Sequence, residues 1–162
     1  MTVDKAQILR GLDDAWGDIK SLVDSIPEQE KLQEGVVEEW SVKDLLGHMA
    51  FWANKASDDL KALSSGTEGE IEAPGGDEVV AEWNAREAAA RKDKPLEELR
   101  REWLQSFAAA RTAFEVAPPE KLEMEVQGWP QLSRFLGDTT IHYGEHEHHI
   151  RTWLKQLETT EE

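Results

Sequence analysis

Apolar residues recur every three or four positions along four stretches of the chain, the spacing of one buried stripe on a helix rather than the alternation of a strand. In the first stretch Ile8, Leu12, Trp16, Ile19, Val23 and Ile26 share a stripe that stops before Pro27. The second opens at Ser41, where Asp44 three residues on resembles a capping box. Its stripe continues through Val42, Leu45, Met49, Trp52, Ala56 and Leu60. Pro95 stands at a favourable first-turn position for the third, whose stripe runs through Leu96, Leu99, Trp103, Phe107, Ala110 and Phe114 until Pro118 and Pro119 end it. The fourth starts after Trp129 and Pro130 and carries Leu132, Phe135, Leu136, Thr139, Tyr143, Ile150, Trp153 and Leu157 as one long helix.

Between the second and third stretches, residues 64–77 (SSGTEGEIEAPGGD) are polar, Gly-rich and aperiodic. They predict a surface loop with no core position. A short helical piece follows from Val79 through the alanines at 88–90. These roughly thirty residues exceed what an antiparallel turn needs, which favours two parallel helices joined by a crossover. The predicted fold class is all-α: a four-helix bundle with a long crossover and a short extra helix between helices two and three.

The chain has 162 residues, enough for one domain spanning 1–162 that buries roughly 70% of its unfolded surface. With 34 acidic residues against 18 Lys and Arg, the formal net charge is −16. A field of that sign repels nucleic-acid phosphates and anionic lipid headgroups. No apolar run reaches the ~18 residues of a membrane span, and the first residues lack the apolar centre of a secretory signal. The expectation is a cytoplasmic protein without nucleic-acid or membrane partners. There is no cysteine, so disulfides, thiolate nucleophiles and cysteine-ligated metals are excluded. Any metal must sit on His, Asp or Glu.

Five histidines narrow that choice. Each helical residue turns by about 100°, so His142 and His146 lie about 40° apart around the axis and one turn apart along it. With Leu132 as zero they fall at about −80° and −40°; with Leu45 as zero, His48 falls at about −60°, again bordering an apolar arc. Three imidazoles from two helices therefore face the interior. One metal ion can satisfy all three, and neutral nitrogens favour zinc or nickel over magnesium or calcium, with a position left open for water or substrate. The other reading is three core histidines bonded to one another or to water. His148 and His149 fall at about 160° and −100°, the first solvated and the second at best a neighbour of the site. Glu145, Lys55 and Asp59 are weaker candidates, the last two at the spacing of a plain ion pair. Trp16, Trp52, Trp103 and Trp153 fit the core, whereas Trp40, Trp83 and Trp129 can line a pocket mouth. Gly47 and Gly144 flank the histidines where a small residue allows close helix approach.

These residues also carry a resemblance. WSVKDLLGHMAFW (Trp40–Trp52) together with IHYGEHEHHIRTWL (Ile141–Leu154) resembles the DinB/YfiT-like superfamily of metalloenzymes. EWNAREAAARKDKPLEELRREWLQSF is similar to its ClbS/DfsB-like branch. The resemblance implies an up-down-down-up four-helix bundle in which one histidine from helix two and two from helix four hold the metal, positions that match His48, His142 and His146. It also implies metal-dependent chemistry on a small electrophilic substrate. The ClbS branch is associated with hydrolytic opening of a reactive cyclopropane in a genotoxic natural product, hence detoxification or self-resistance. Other members are thiol-dependent S-transferases and a mycothiol-dependent isomerase. A bundle that sequesters a ligand without turnover is the non-enzymatic alternative, and homodimers are common in the superfamily.

Overall fold

The computed structural model describes residues 3–161. Helix α1 (Lys5–Ser25) starts where the Asp4 carboxylate accepts the Gln7 N–H at 3.0 Å. After the single turn α2 (Glu28–Lys31), helix α3 (Val42–Ser65) opens on the expected capping box: Ser41 Oγ accepts from the Asp44 N–H, and Asp44 accepts from the Ser41 N–H. Gly66 closes it at φ +75°, a left-handed position that glycine occupies without strain. Helix α4 (Asp77–Arg91) lies in the crossover, followed by α5 (Leu96–Val116), the turn α6 (Pro119–Leu122), strands β1 (Glu125–Val126) and β2 (Trp129–Pro130), and helices α7 (Gln131–Asp138) and α8 (Thr140–Thr160). The protein is mostly helical. Among the described residues no helix is long and apolar enough to cross a membrane.

The long helices share one core. Helix α3 packs along α5 and α1 against α8, with further contacts of α1 on α5 and α3 on α8. Leu12, Ile19, Leu45, Leu60, Leu99, Trp103 and Phe114 are fully buried there, as the stripes require, and Leu46, outside the stripe, is buried with them. Trp16 joins three helices at once: its ring stacks on Phe107 at 4.3 Å and meets Trp103 at 4.4 Å and Tyr143 at 5.4 Å between centroids. Trp52 and Trp153 are buried as well.

Four local features depart from the expectations. The fourth helix is not continuous. At Thr139 (φ −127°, ψ −91°) it breaks into α7 and α8, because the buried hydroxyl donates to the Phe135 carbonyl at 2.7 Å, one turn back, and competes with the backbone ladder. The Gly-rich stretch does supply a core residue: Ile71 is 3% exposed, its carbonyl held by Gln127 Nε2 at 2.9 Å. A lone apolar residue carries no periodicity by which to be found. Residues 125–130 form a hairpin, since Gln127 and Gly128 both adopt positive φ (53° and 81°), the geometry that matches a two-residue turn to the twist of its strands. Finally, α4 is longer than the piece expected, and none of its residues is buried.

Candidate metal centre

His48 projects from α3 and His142 and His146 from α8, 94 and four residues apart along the chain. The structure brings all three together. His142 Nε2 stands 2.9 Å from His48 Nε2 and 2.9 Å from His146 Nε2, and one ligand nitrogen from each ring lies within 4.8 Å of the others. His142 and His146 are buried and His48 half-buried, with the Trp40 indole against the His48 ring at 4.8 Å. Burial lowers His48 to about 4 and His146 to about 3. His142 is held well below its ordinary value by burial and by its two neighbours. At neutral pH all three are therefore uncharged rings with lone pairs to offer.

Those lone pairs are not satisfied internally. His142 Nε2 faces two other Nε2 atoms, and one proton there can serve only one of them. The donor set suits a divalent ion. Two nitrogens each about 2.05 Å from a tetrahedral ion stand about 3.3 Å apart, so the two 2.9 Å pairs here lie a few tenths of an ångström inside that spacing and the third pair lies within 4.8 Å. The three histidines can thus hold a divalent metal.

His149 Nδ1 lies 3.2 Å from His146 Nδ1, so it engages the far nitrogen of that ring and orients the near one, while His148 is exposed. The histidines open on a cavity of about 420 Å³ whose wall includes Trp52, Val80, Asn84, Trp129, Arg134, Asp138 and Glu145. Helix α4 supplies its outer side, tied down by Trp52 Nε1 donating to Asn84 Oδ1 at 2.8 Å. The hairpin supplies Trp129. Of the other tryptophans near the mouth, Trp83 stacks behind Trp52 at 6.0 Å and Trp40 backs His48. Glu145 is exposed at the cavity rim. Lys55 and Asp59 form the ion pair their spacing predicts, at 2.7 Å. Gly47 does permit close approach, with Arg91 of α4 lying over it, but Gly144 has open space around it and serves no contact.

Asn84, Arg134 and Asp138 on this wall were not singled out in the sequence. Arg134 and Asp138 precede His142 and His146 in steps of four, which is the signal that would have found them. On one straight helix with Leu132 as zero they fall at about −160° and −120°, the solvent side. The break at Thr139 separates α7 from α8, so that arithmetic does not apply across it. Burial pushes the Asp138 carboxyl up to about 7, against the opposing pull of Arg134.

An all-α fold with three convergent histidines at a cavity defines a class of DinB-like helical proteins able to hold a metal. Residues 12–152 match the family described as the mycothiol maleylpyruvate isomerase N-terminal domain, and the chain belongs to that family, a member of the DinB/YfiT-like superfamily. Among solved structures it is similar to that of an uncharacterised protein from Escherichia coli UTI89, with a TM-score of 0.81 and 17% identity over 95% of this chain and 94% of the other. At that identity the likeness speaks for the fold. No curated protein sequence matches the chain.

Proposed function

We propose that this protein is a metal-dependent hydrolase of a small electrophilic molecule, acting in detoxification or self-resistance in the cytoplasm. The observation that carries the reading is the convergence of three neutral imidazoles on the wall of a cavity large enough for such a substrate. His48, His142 and His146 are the ligands in this reading, and zinc or nickel suits their nitrogens. A bound ion of that kind supplies Lewis acidity, which activates water or polarises an electrophile. The chain's own residues set the stage for it: His149 orients His146, α4 and Trp129 limit access of solvent, and Trp52 and Val80 offer apolar surface to the substrate.

The same reading takes α1, α3, α5 and α7–α8 as an up-down-down-up four-helix bundle forming one domain over the whole chain. Support comes from the α1–α8 and α3–α5 packing and the long crossover. The net charge argues against nucleic-acid and anionic-membrane partners, and a homodimer would need a locally apolar interface.

Family membership favours a second reading, a thiol-dependent S-transferase. With no cysteine in the chain, its sulfur would arrive on a small cosubstrate. Chelation of the purified, tag-free protein followed by back-titration should recover about one tightly held ion per chain, lost in His146→Ala. Turnover of model electrophiles without added thiol supports hydrolysis, and turnover only with a low-molecular-weight thiol supports transfer. Stoichiometric binding without turnover would leave a sequestering protein instead.

A further inference from the structure

Arg134 makes no hydrogen bond within the described residues, although its side chain is only 11% exposed and lines the histidine cavity. Its nearest anionic group is Asp59 Oδ2, 3.6 Å from Nη2 and beyond hydrogen-bond range, and Nη1 is buried with no partner. The other Asp59 oxygen is taken by Lys55 at 2.7 Å. A guanidinium carries five N–H donors in a planar fork and loses much of its hydration when buried, so a fork with Nη1 unpartnered and Asp59 too far to accept a hydrogen bond is costly. We infer that Arg134 is the specificity-determining residue of the cavity and that the substrate carries a carboxylate, which Arg134 receives while the rest of the molecule extends toward the three histidines.

The remainder of the wall agrees with a carboxylate on an apolar body. Trp52, Trp129 and Val80 offer flat apolar surface, which suits an unsaturated or aromatic frame. Asp77 and Glu145 are exposed at the rim, where water screens them, whereas Arg134 sits deeper. Among the described residues Asp138 lies on the same wall without an ion partner within 4.0 Å. With one guanidinium among these acids, a monoanion is matched better than a doubly charged phosphate. A cationic substrate would be repelled by the guanidinium, which Asp59 approaches only to 3.6 Å.

The inference rests on the proposed function only in taking this cavity as the substrate site. Calorimetry on the chelated, metal-free protein tests it with three probes of one shape and three charges: benzoate, benzamide and benzylamine. Benzoate should bind at least ten-fold more tightly than either of the others. Arg134→Gln should bring benzoate down to the benzamide level while still taking up zinc, and Arg134→Lys should recover part of the preference. His146→Ala should lose zinc yet keep the preference for benzoate. Where Arg134→Gln fails to fold because Asp59 is left short of positive charge, the double variant Arg134→Gln/Asp59→Asn removes both charges and is read in its place. Benzoate binding no better than benzamide, tightest binding of benzylamine, or a preference that survives loss of Arg134 overturns the inference. Absence of zinc uptake by the unaltered protein would instead overturn the metal reading and leave the carboxylate result standing.

Discussion

His149 shows how much a single side chain outside the triad can matter. Its Nδ1 lies 3.2 Å from His146 Nδ1, so when it accepts the proton carried on His146 Nδ1 it leaves the His146 Nε2 lone pair directed toward His142 and His48. Outer partners of this kind typically contribute about 10–100-fold to metal affinity. His149→Ala is accordingly expected to weaken zinc binding by about that factor while leaving one site per chain, as read by competition with a chromophoric chelator. Unchanged affinity would show that packing alone orients His146. The spacing of His142 and His146 was plain in the sequence, since one turn of helix separates them. His48 needed two helices to meet, a distance of 94 residues that local periodicity does not encode.

Two glycines on the helices of the triad, alike in the sequence, have opposite roles. A Cβ on Gly47 would lie 2.8 Å from Arg91 Cδ, and Arg91 is held in place by Glu87 at 2.6 Å and Glu102 at 3.0 Å. Around Gly144 nothing lies within 4 Å of such an atom. Glycine costs a helix interior about 1 kcal/mol relative to alanine. Gly144→Ala should therefore stabilise the protein by about 0.5–1 kcal/mol. Gly47→Ala forfeits that gain, because displacing Arg91 costs about 1–3 kcal/mol. Urea unfolding of the two variants measures the contrast, and equal gains in both would contradict the packing of α4 on α3. Element boundaries were legible wherever a local device sets them: the Ser41 capping box, Pro27, Pro95 and Pro118 all fall where the helices begin or end. The break at Thr139 and the Gln127–Gly128 hairpin were not. A threonine that bonds one turn back looks like any other in a helix, and Gln127 is an unusual residue to stand at positive φ.

Over the whole molecule the buried groups set a pH dependence. In the metal-free protein His48 and His146 are lowered to about 4 and about 3, and His142 further below its ordinary value. Below pH 6.5 the unfolded chain binds protons at these rings that the folded chain refuses, so stability falls as the pH drops through that range. Asp138 acts in the opposite sense. Its folded value near 7 lies above its unfolded one, so the folded state gains a proton there as the pH falls. Asp59 is raised in the same direction. Three histidines outweigh these carboxyls, and the melting temperature of the chelated protein should decline from pH 7 to pH 5. Asp138→Asn should steepen that decline and raise the melting temperature at pH 8. A flat profile would mean that water reaches the triad freely.

The chain by itself determined the all-α class, the helix caps and the one-turn pairing of His142 with His146, because each depends on residues within a few positions of one another. His48 was placed with that pair by its helix face and the family resemblance, and packing gave the distances; only the tertiary structure decided that Ile71 is buried and that Arg134 and Asp138 wall the cavity. These are products of packing between distant segments and of one helix break, and burial gives those side chains a chemistry that they do not have in the extended chain.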